Sequence, residues 1–188
     1  MSKRLKVESP LVQLDERPAS IIERSPLAYI NLRGTIGKGR TKFALAIKKV
    51  TGLTPTPDPN KTLHNDTFTL HWLGPDEYLL LCDAERTADV TAQLETLLSG
   101  VFCAVTDVSS GYTLIEVAGP YAADLLAKGC PLDLHPDVFG ADDCAQSLLA
   151  QAGIHLSRKP DGDGFAVIVR RSYADYLMRW LINANTGY

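Results

Sequence analysis

Gly34-Thr35-Ile36-Gly37-Lys38-Gly39-Arg40-Thr41 is the stretch of this 188-residue sequence nearest to a chemical motif. A G-x-x-x-x-G-K-[ST] turn between strand and helix cradles phosphates with backbone N–H groups and reaches them with its lysine. Gly34 and Gly39 have that spacing, but Arg40 occupies the lysine position. The hairpin signals around it also point away from a parallel NTPase sheet. Gly34–Thr41 therefore reads as a flexible turn, with phosphate binding there the lesser alternative. His64, His71, His135 and His155 never form H-x-x-x-H, and Cys82, Cys103, Cys130 and Cys144 contain no C-x-x-C pair. A metal site would have to assemble from distant segments, so none is assigned; the histidines read as structural and the thiols as reduced and mostly buried. Asp161-Gly162-Asp163-Gly164 reads as a hairpin turn, because Phe165 stands where a calcium loop needs an oxygen ligand. Ser109-Ser110-Gly111 lacks the G-x-S-x-G frame of an exposed nucleophile. Asp66, after Asn65, is a carboxylate at a loop-to-strand junction, where Asp ordinarily caps or turns the backbone. Arg170, Arg171 and Arg179 with Tyr176 and Trp180 form a basic-aromatic cluster suited to a protein interface.

The elements that position these residues follow from periodicity. Residues 1–26 carry Pro10, Pro18 and Pro26 and read as an irregular N-terminal arm. Leu27–Leu32 predicts a strand, and Thr41–Val50 a helix closed by Gly52. Pro55, Pro57 and Pro59 impose an extended loop. Thr67–Leu73 and Tyr78–Cys82 make a hairpin about Gly74-Pro75-Asp76, and Arg86–Leu98 a helix stopping at Gly100. The order then repeats: strands at Val101–Val108 and Tyr112–Val117, a helix at Tyr121–Lys128, and a hairpin of Ile154–Leu156 with Phe165–Arg170. A last helix starts at a capping box of Ser172 and Asp175.

Ile30-Asn31-Leu32-Arg33-Gly34 aligns with Ile115-Glu116-Val117-Ala118-Gly119, and His71-Trp72-Leu73 with His155-Leu156, at offsets of about 85 residues. The economical reading is a diverged duplication. It predicts an α+β fold with antiparallel sheets, in which pseudo-two-fold related strand-helix-hairpin-helix units (27–100 and 101–183) share a single body spanning 27–188. A net charge of -3 and 45% hydrophobic residues describe an ordinary globular chain without the positive field of a nucleic-acid binder. Apolar runs of about five residues are far short of the ~20 of a membrane helix. Nothing at the N-terminus resembles a signal peptide, which makes the cytoplasm the default.

Trp72-Leu73-Gly74-Pro75-Asp76-Glu77-Tyr78-Leu79-Leu80-Leu81, Asp107-Val108-Ser109, Gly119-Pro120, Cys130-Pro131-Leu132-Asp133-Leu134 and Arg171–Leu181, in that order, resemble the gamma subunit of heterotetrameric sarcosine oxidase. That family is similar in turn to the folate-binding region of the glycine-cleavage aminomethyltransferases, itself a duplicated α+β fold. The resemblance implies a subunit without a catalytic centre of its own. Its complex would demethylate sarcosine oxidatively to glycine, passing the one-carbon unit to tetrahydrofolate and producing hydrogen peroxide. FAD, FMN and NAD would be held by alpha and beta subunits and zinc by the delta subunit, with no cofactor in this chain. The transferases carry an Asp-Asp pair where this sequence has Asn65-Asp66. Asparagine can neither stabilise a cation by charge nor relay a proton at neutral pH. The resemblance thus implies folate chemistry lost or ceded to another subunit, and leaves a free-standing folate-binding protein using Asp66 as the alternative.

Overall fold

The structure, a computed structural model, describes residues 8–11, 18–37, 39 and 41–186. Its first half runs β1 (Ile21–Arg24), β2 (Leu27–Arg33), α1 (Lys42–Thr51), β3 (Thr62–His64), β4 (Thr69–Gly74), β5 (Glu77–Asp83) and α2 (Thr87–Leu97). The second half repeats that order as β6 (Ala104–Asp107), β7 (Tyr112–Val117), α3 (Ala122–Ala127), β8 (Cys144–Leu149), β9 (Ala152–Arg158), β10 (Phe165–Arg170) and α4 (Arg171–Ala184).

Two five-stranded sheets result, ordered β3-β4-β5-β2-β6 and β8-β9-β10-β7-β1, with every neighbouring pair antiparallel. The two orders match position for position, except that the opening strands are exchanged. β6 closes the first half's sheet beside β2, and β1 closes the second half's sheet beside β7. Each half thereby covers an edge that the other would leave unpaired. The exchange also corrects the expectation of an irregular arm over 1–26. Ile21–Arg24 is a strand, and Ile21 and Leu11 are buried; much of the remaining arm lies outside the described residues.

Strand alternation sorts the side chains into layers. Ala28, Ile30 and Leu32 of β2 and Tyr78, Leu80 and Cys82 of β5 pack against α1 and α2. Ile115, Val117, Val167 and Val169 pack against α3 and α4. The opposite faces meet each other, with Tyr29, Leu79, Leu81, Leu114 and Ile168 forming the seam between the sheets. The architecture is therefore helices, sheet, sheet, helices.

Local chemistry sets the helix ends. Thr41 caps α1 by accepting from the Ala44 N–H at 3.2 Å, and Gly52 closes it at φ 77° by donating its N–H to the Lys48 carbonyl. The expected capping box at Ser172 and Asp175 does not form. β10 passes directly into α4 at Arg170, so Ser172 already lies inside the first turn. Ala174, Leu177, Met178 and Leu181 bury one face of α4 at helical spacing. β3 and β8 escaped the sequence pattern because both are edge strands with half-exposed, polar-rich sequences.

Candidate functional site

The sheets are joined at one edge, where β3 and β8 meet in an isolated antiparallel bridge between Lys61 and Asp143. The Thr62 N–H donates to the Asp142 carbonyl at 2.8 Å, and the Cys144 N–H donates to the Asn60 carbonyl at 2.9 Å. Lys61 and Asp143 pair across the bridge at 2.5 Å. This reciprocal pattern makes Thr62 and Cys144 pseudo-two-fold equivalents. Their ladder partners are His71 and Ser157. His71 thus corresponds to Ser157, and His155 to Thr69, so the repeat alignment that equated the two histidines is two residues out of register. A slip of two keeps every side chain on its own face and is invisible to alternation alone.

Released from symmetry, the two histidines meet across the seam, with ring centroids 4.7 Å apart and planes at 72°. Cys144 joins them, and the ligating atoms of His71, Cys144 and His155 lie within 4.8 Å of one another. All three residues are buried. Burial, with His155 adjacent, holds the His71 imidazole well below its ordinary pKa; burial lowers His155 to about 4 and pushes the Cys144 thiol up to about 11. His71 Nδ1 is hydrogen-bonded to the Thr62 hydroxyl. The Cys144 thiol lies 3.3 Å from the Lys61 carbonyl and 3.6 Å from that of Trp72. Sequence reasoning missed this cluster because its members are 73 and 11 positions apart and come from three strands.

Towards the other edge, the β1–β2 and β6–β7 connections come together around a cleft of about 450 Å³ lined by Arg24, Tyr29, Asp107, Ser109, Tyr112 and Arg171, among others. Ser109 is committed to structure there: its hydroxyl donates to Asp107 at 2.5 Å and accepts from the Tyr29 N–H at 2.9 Å. Arg171 donates to the Glu8 carbonyl at 2.5 Å, and the Arg170 guanidinium sits 5.3 Å from the Tyr112 ring centroid. The Tyr29 hydroxyl is buried among these groups, and its pKa rises chiefly through burial and secondarily through the charge on Glu23.

The sites anticipated from sequence are placed as follows. Asp66 lies exposed on the β3–β4 turn. Its neighbour Asn65 shapes that turn, accepting from the Thr67 and Phe68 N–H groups at 3.0 and 2.9 Å while its own amide donates to the Thr51 carbonyl at 2.9 Å. A carboxylate could not make the last bond. At the glycine-rich turn the Gly34 N–H donates to the Asp76 carbonyl and the Gly39 N–H to that of Ile36, so neither is free to bind phosphate. Lys38 and Arg40 lie outside the described residues. The basic-aromatic cluster is split: Arg171 lines the cleft, Arg170 lies over Tyr112, Arg179 pairs with Asp175 at 2.9 Å, and Trp180 packs over Gly129. Tyr173 and Tyr176 remain exposed on α4, their ring centroids 6.4 Å apart.

Residues 37–187 match the model of the Sarcosine oxidase, gamma subunit family. The chain belongs to that family. This gamma-family chain is 34% identical over 117 residues to the sarcosine oxidase subunit gamma of Corynebacterium sp. (strain P-1), an alignment covering 62% of the chain and 56% of that relative's length. The matched segment thus spans little more than half of the curated relative. Among solved structures it is similar to a chain of the heterotetrameric sarcosine oxidase from Corynebacterium sp. U-96, with a TM-score of 0.84 and 25% identity, covering 95% of this chain and 94% of that one. It also shares the fold of the glycine cleavage system aminomethyltransferase T from Bartonella henselae, with a TM-score of 0.64 and 18% identity over 86% of this chain and 44% of the other. The gamma-family fold is therefore the α+β, antiparallel, aminomethyltransferase-like one. Among the described residues, no helix is long and apolar enough to cross a membrane.

Proposed function

We propose that the chain acts as the gamma subunit of a heterotetrameric sarcosine oxidase and contributes structure rather than a catalytic centre. The observation that carries this reading is the likeness to a chain of such a complex along 95% of the sequence. The complex would convert sarcosine to glycine with tetrahydrofolate as one-carbon acceptor and hydrogen peroxide as product. FAD, FMN, NAD and zinc would reside in the alpha, beta and delta partners. A noncatalytic role accords with the local chemistry: Asn65 is consumed in shaping its turn, Asp66 faces solvent, and Ser109 is bound into the β6–β7 connection. The exposed Tyr173–Tyr176 pair on α4 supplies the aromatic surface that protein interfaces favour, and we assign it to the contact with a large subunit.

Coexpression with tagged alpha, beta and delta subunits tests the assignment. Stoichiometric copurification, with loss of assembled oxidase when this chain is omitted, is expected; full assembly and activity without it would remove the assignment. A folate protein using Asp66 remains the alternative. Calorimetry with tetrahydrofolate would favour it only if the isolated chain binds and Asp66→Ala abolishes binding. The phosphate reading of Gly34–Thr41 ranks last, since the turn's Gly34 and Gly39 N–H groups already have partners.

A further inference from the structure

His155 presents an accounting problem that the subunit role does not address. It is only 7% exposed, yet neither Nδ1 nor Nε2 has a hydrogen-bond partner. Leaving a buried donor or acceptor unpaired forfeits its hydration without return. Natural cores rarely keep two such groups on one ring without a ligand, ion or water to meet them. The side chains around it are those a soft metal ion uses: a second imidazole and a thiol, contributed by β4 and β8.

We propose that His71, Cys144 and His155 form a metal site for a zinc-type divalent ion. The spacing is close to that required. Ligand atoms of a tetrahedral zinc site lie ~3.4 Å apart for bonds of about 2.1 Å, against separations of up to 4.8 Å here. Side-chain rotations drawing the ligands in by on the order of 1 Å close the difference. Thr62 supplies the outer support such sites need. Its hydroxyl is bonded to His71 Nδ1, which holds that imidazole in place beside Cys144 and His155. On binding, the Cys144 S–H bond breaks, its proton leaves to solvent and sulfur bonds the metal.

Three protein donors leave a fourth position, and one of the three residues borders a cleft. A cleft of about 400 Å³ between the sheets has His155 in its wall, together with Gln146, Glu77, Asn31 and Arg170. The ring nitrogens of His155 are themselves buried, so the ion would be held inside the seam, behind the wall of this cleft. The Lys61–Asp143 bridge adjoins Cys144, and the ion would tie β4, β8 and β9 together where the two sheets are stitched.

The test uses the full chain, purified under reducing conditions without its partners so that a partner's zinc does not enter the count. After stripping with chelator, it is titrated with Zn²⁺ and separately with Co²⁺. One ion per chain by elemental analysis is expected, with a cobalt-thiolate charge-transfer band. Cys144→Ser should abolish the band, and both Cys144→Ser and His155→Leu should weaken zinc binding by ~10-fold or more. The cobalt spectrum of the unsubstituted chain needs no variant to fold. Failure of the folded, stripped chain to take up either ion overturns the proposal. So does uptake with no thiolate band, or uptake unchanged in Cys144→Ser.

Discussion

Gly164→Ala isolates how the second half-unit holds its central strands together. Gly164 ends the hairpin turn before β10 at φ 108°, outside the pocket of left-handed conformations that non-glycine residues visit. A Cβ there would lie 2.1 Å from the Val117 carbonyl oxygen and 2.7 Å from Ala118 Cα. Both obstacles are backbone, and Val117 is the ladder partner of Phe165, the first residue of β10. Nothing can give way without opening the β7–β10 pairing. The backbone conformation costs ~1–2 kcal/mol for alanine, and relieving the overlap adds ~1–3 kcal/mol. For a chain of this length each kcal/mol moves Tm by ~2–4 °C, so a fall of ~4–20 °C is expected. Gly162→Ala is the internal control: its φ is 76°, but no atom lies within 4 Å of the added carbon. It should lose only ~2–8 °C. Thermal unfolding of the two variants beside the parent decides the matter. A Gly164→Ala chain as stable as Gly162→Ala would refute the steric argument.

Asn65→Asp should restore a paired carboxylate without restoring chemistry. The lost donation to the Thr51 carbonyl lowers stability by ~1–2 kcal/mol in urea titrations, and calorimetry should show no tetrahydrofolate binding gained. Gly129→Ala places a methyl 2.7 Å from the Trp180 ring and should reduce Tm; Trp180→Leu in the same chain should recover part of the loss, a non-additivity readable in a double-mutant cycle. Thiol labelling of the native chain at pH 8 should reach half-exposed Cys103 before Cys82, which is buried and whose thiol is pushed up to about 11 by that burial. Equal labelling rates would mean that the first-half core is open. Tyr173→Ala with Tyr176→Ala should weaken copurification with the large subunits while leaving Tm nearly unchanged, since both rings face solvent.

Much of the architecture was available from the sequence because it rests on local rules. Thr41 and Gly52 bracket α1 as capping chemistry predicts, and the hairpin about Gly74-Pro75-Asp76 lies between β4 and β5. The C-terminal amphipathic helix follows from its spacing, though not its start, since strand geometry rather than a side-chain cap sets that end. The recurring order of elements was visible, and the family through residues spread along the whole chain. Tertiary structure alone decided which half owns each opening strand. Exchanging β1 and β6 alters pairing partners without altering either strand's own pattern of faces. The same limit hid the register: a two-residue slip preserves alternation, so the sequence paired His71 with His155 as repeats when the fold pairs them as neighbours. Ligand sets behave likewise. Cys144 lies far from His71 along the chain and touches its surroundings only because β3 and β8 meet edge to edge, a contact made by backbone hydrogen bonds that any sequence could form.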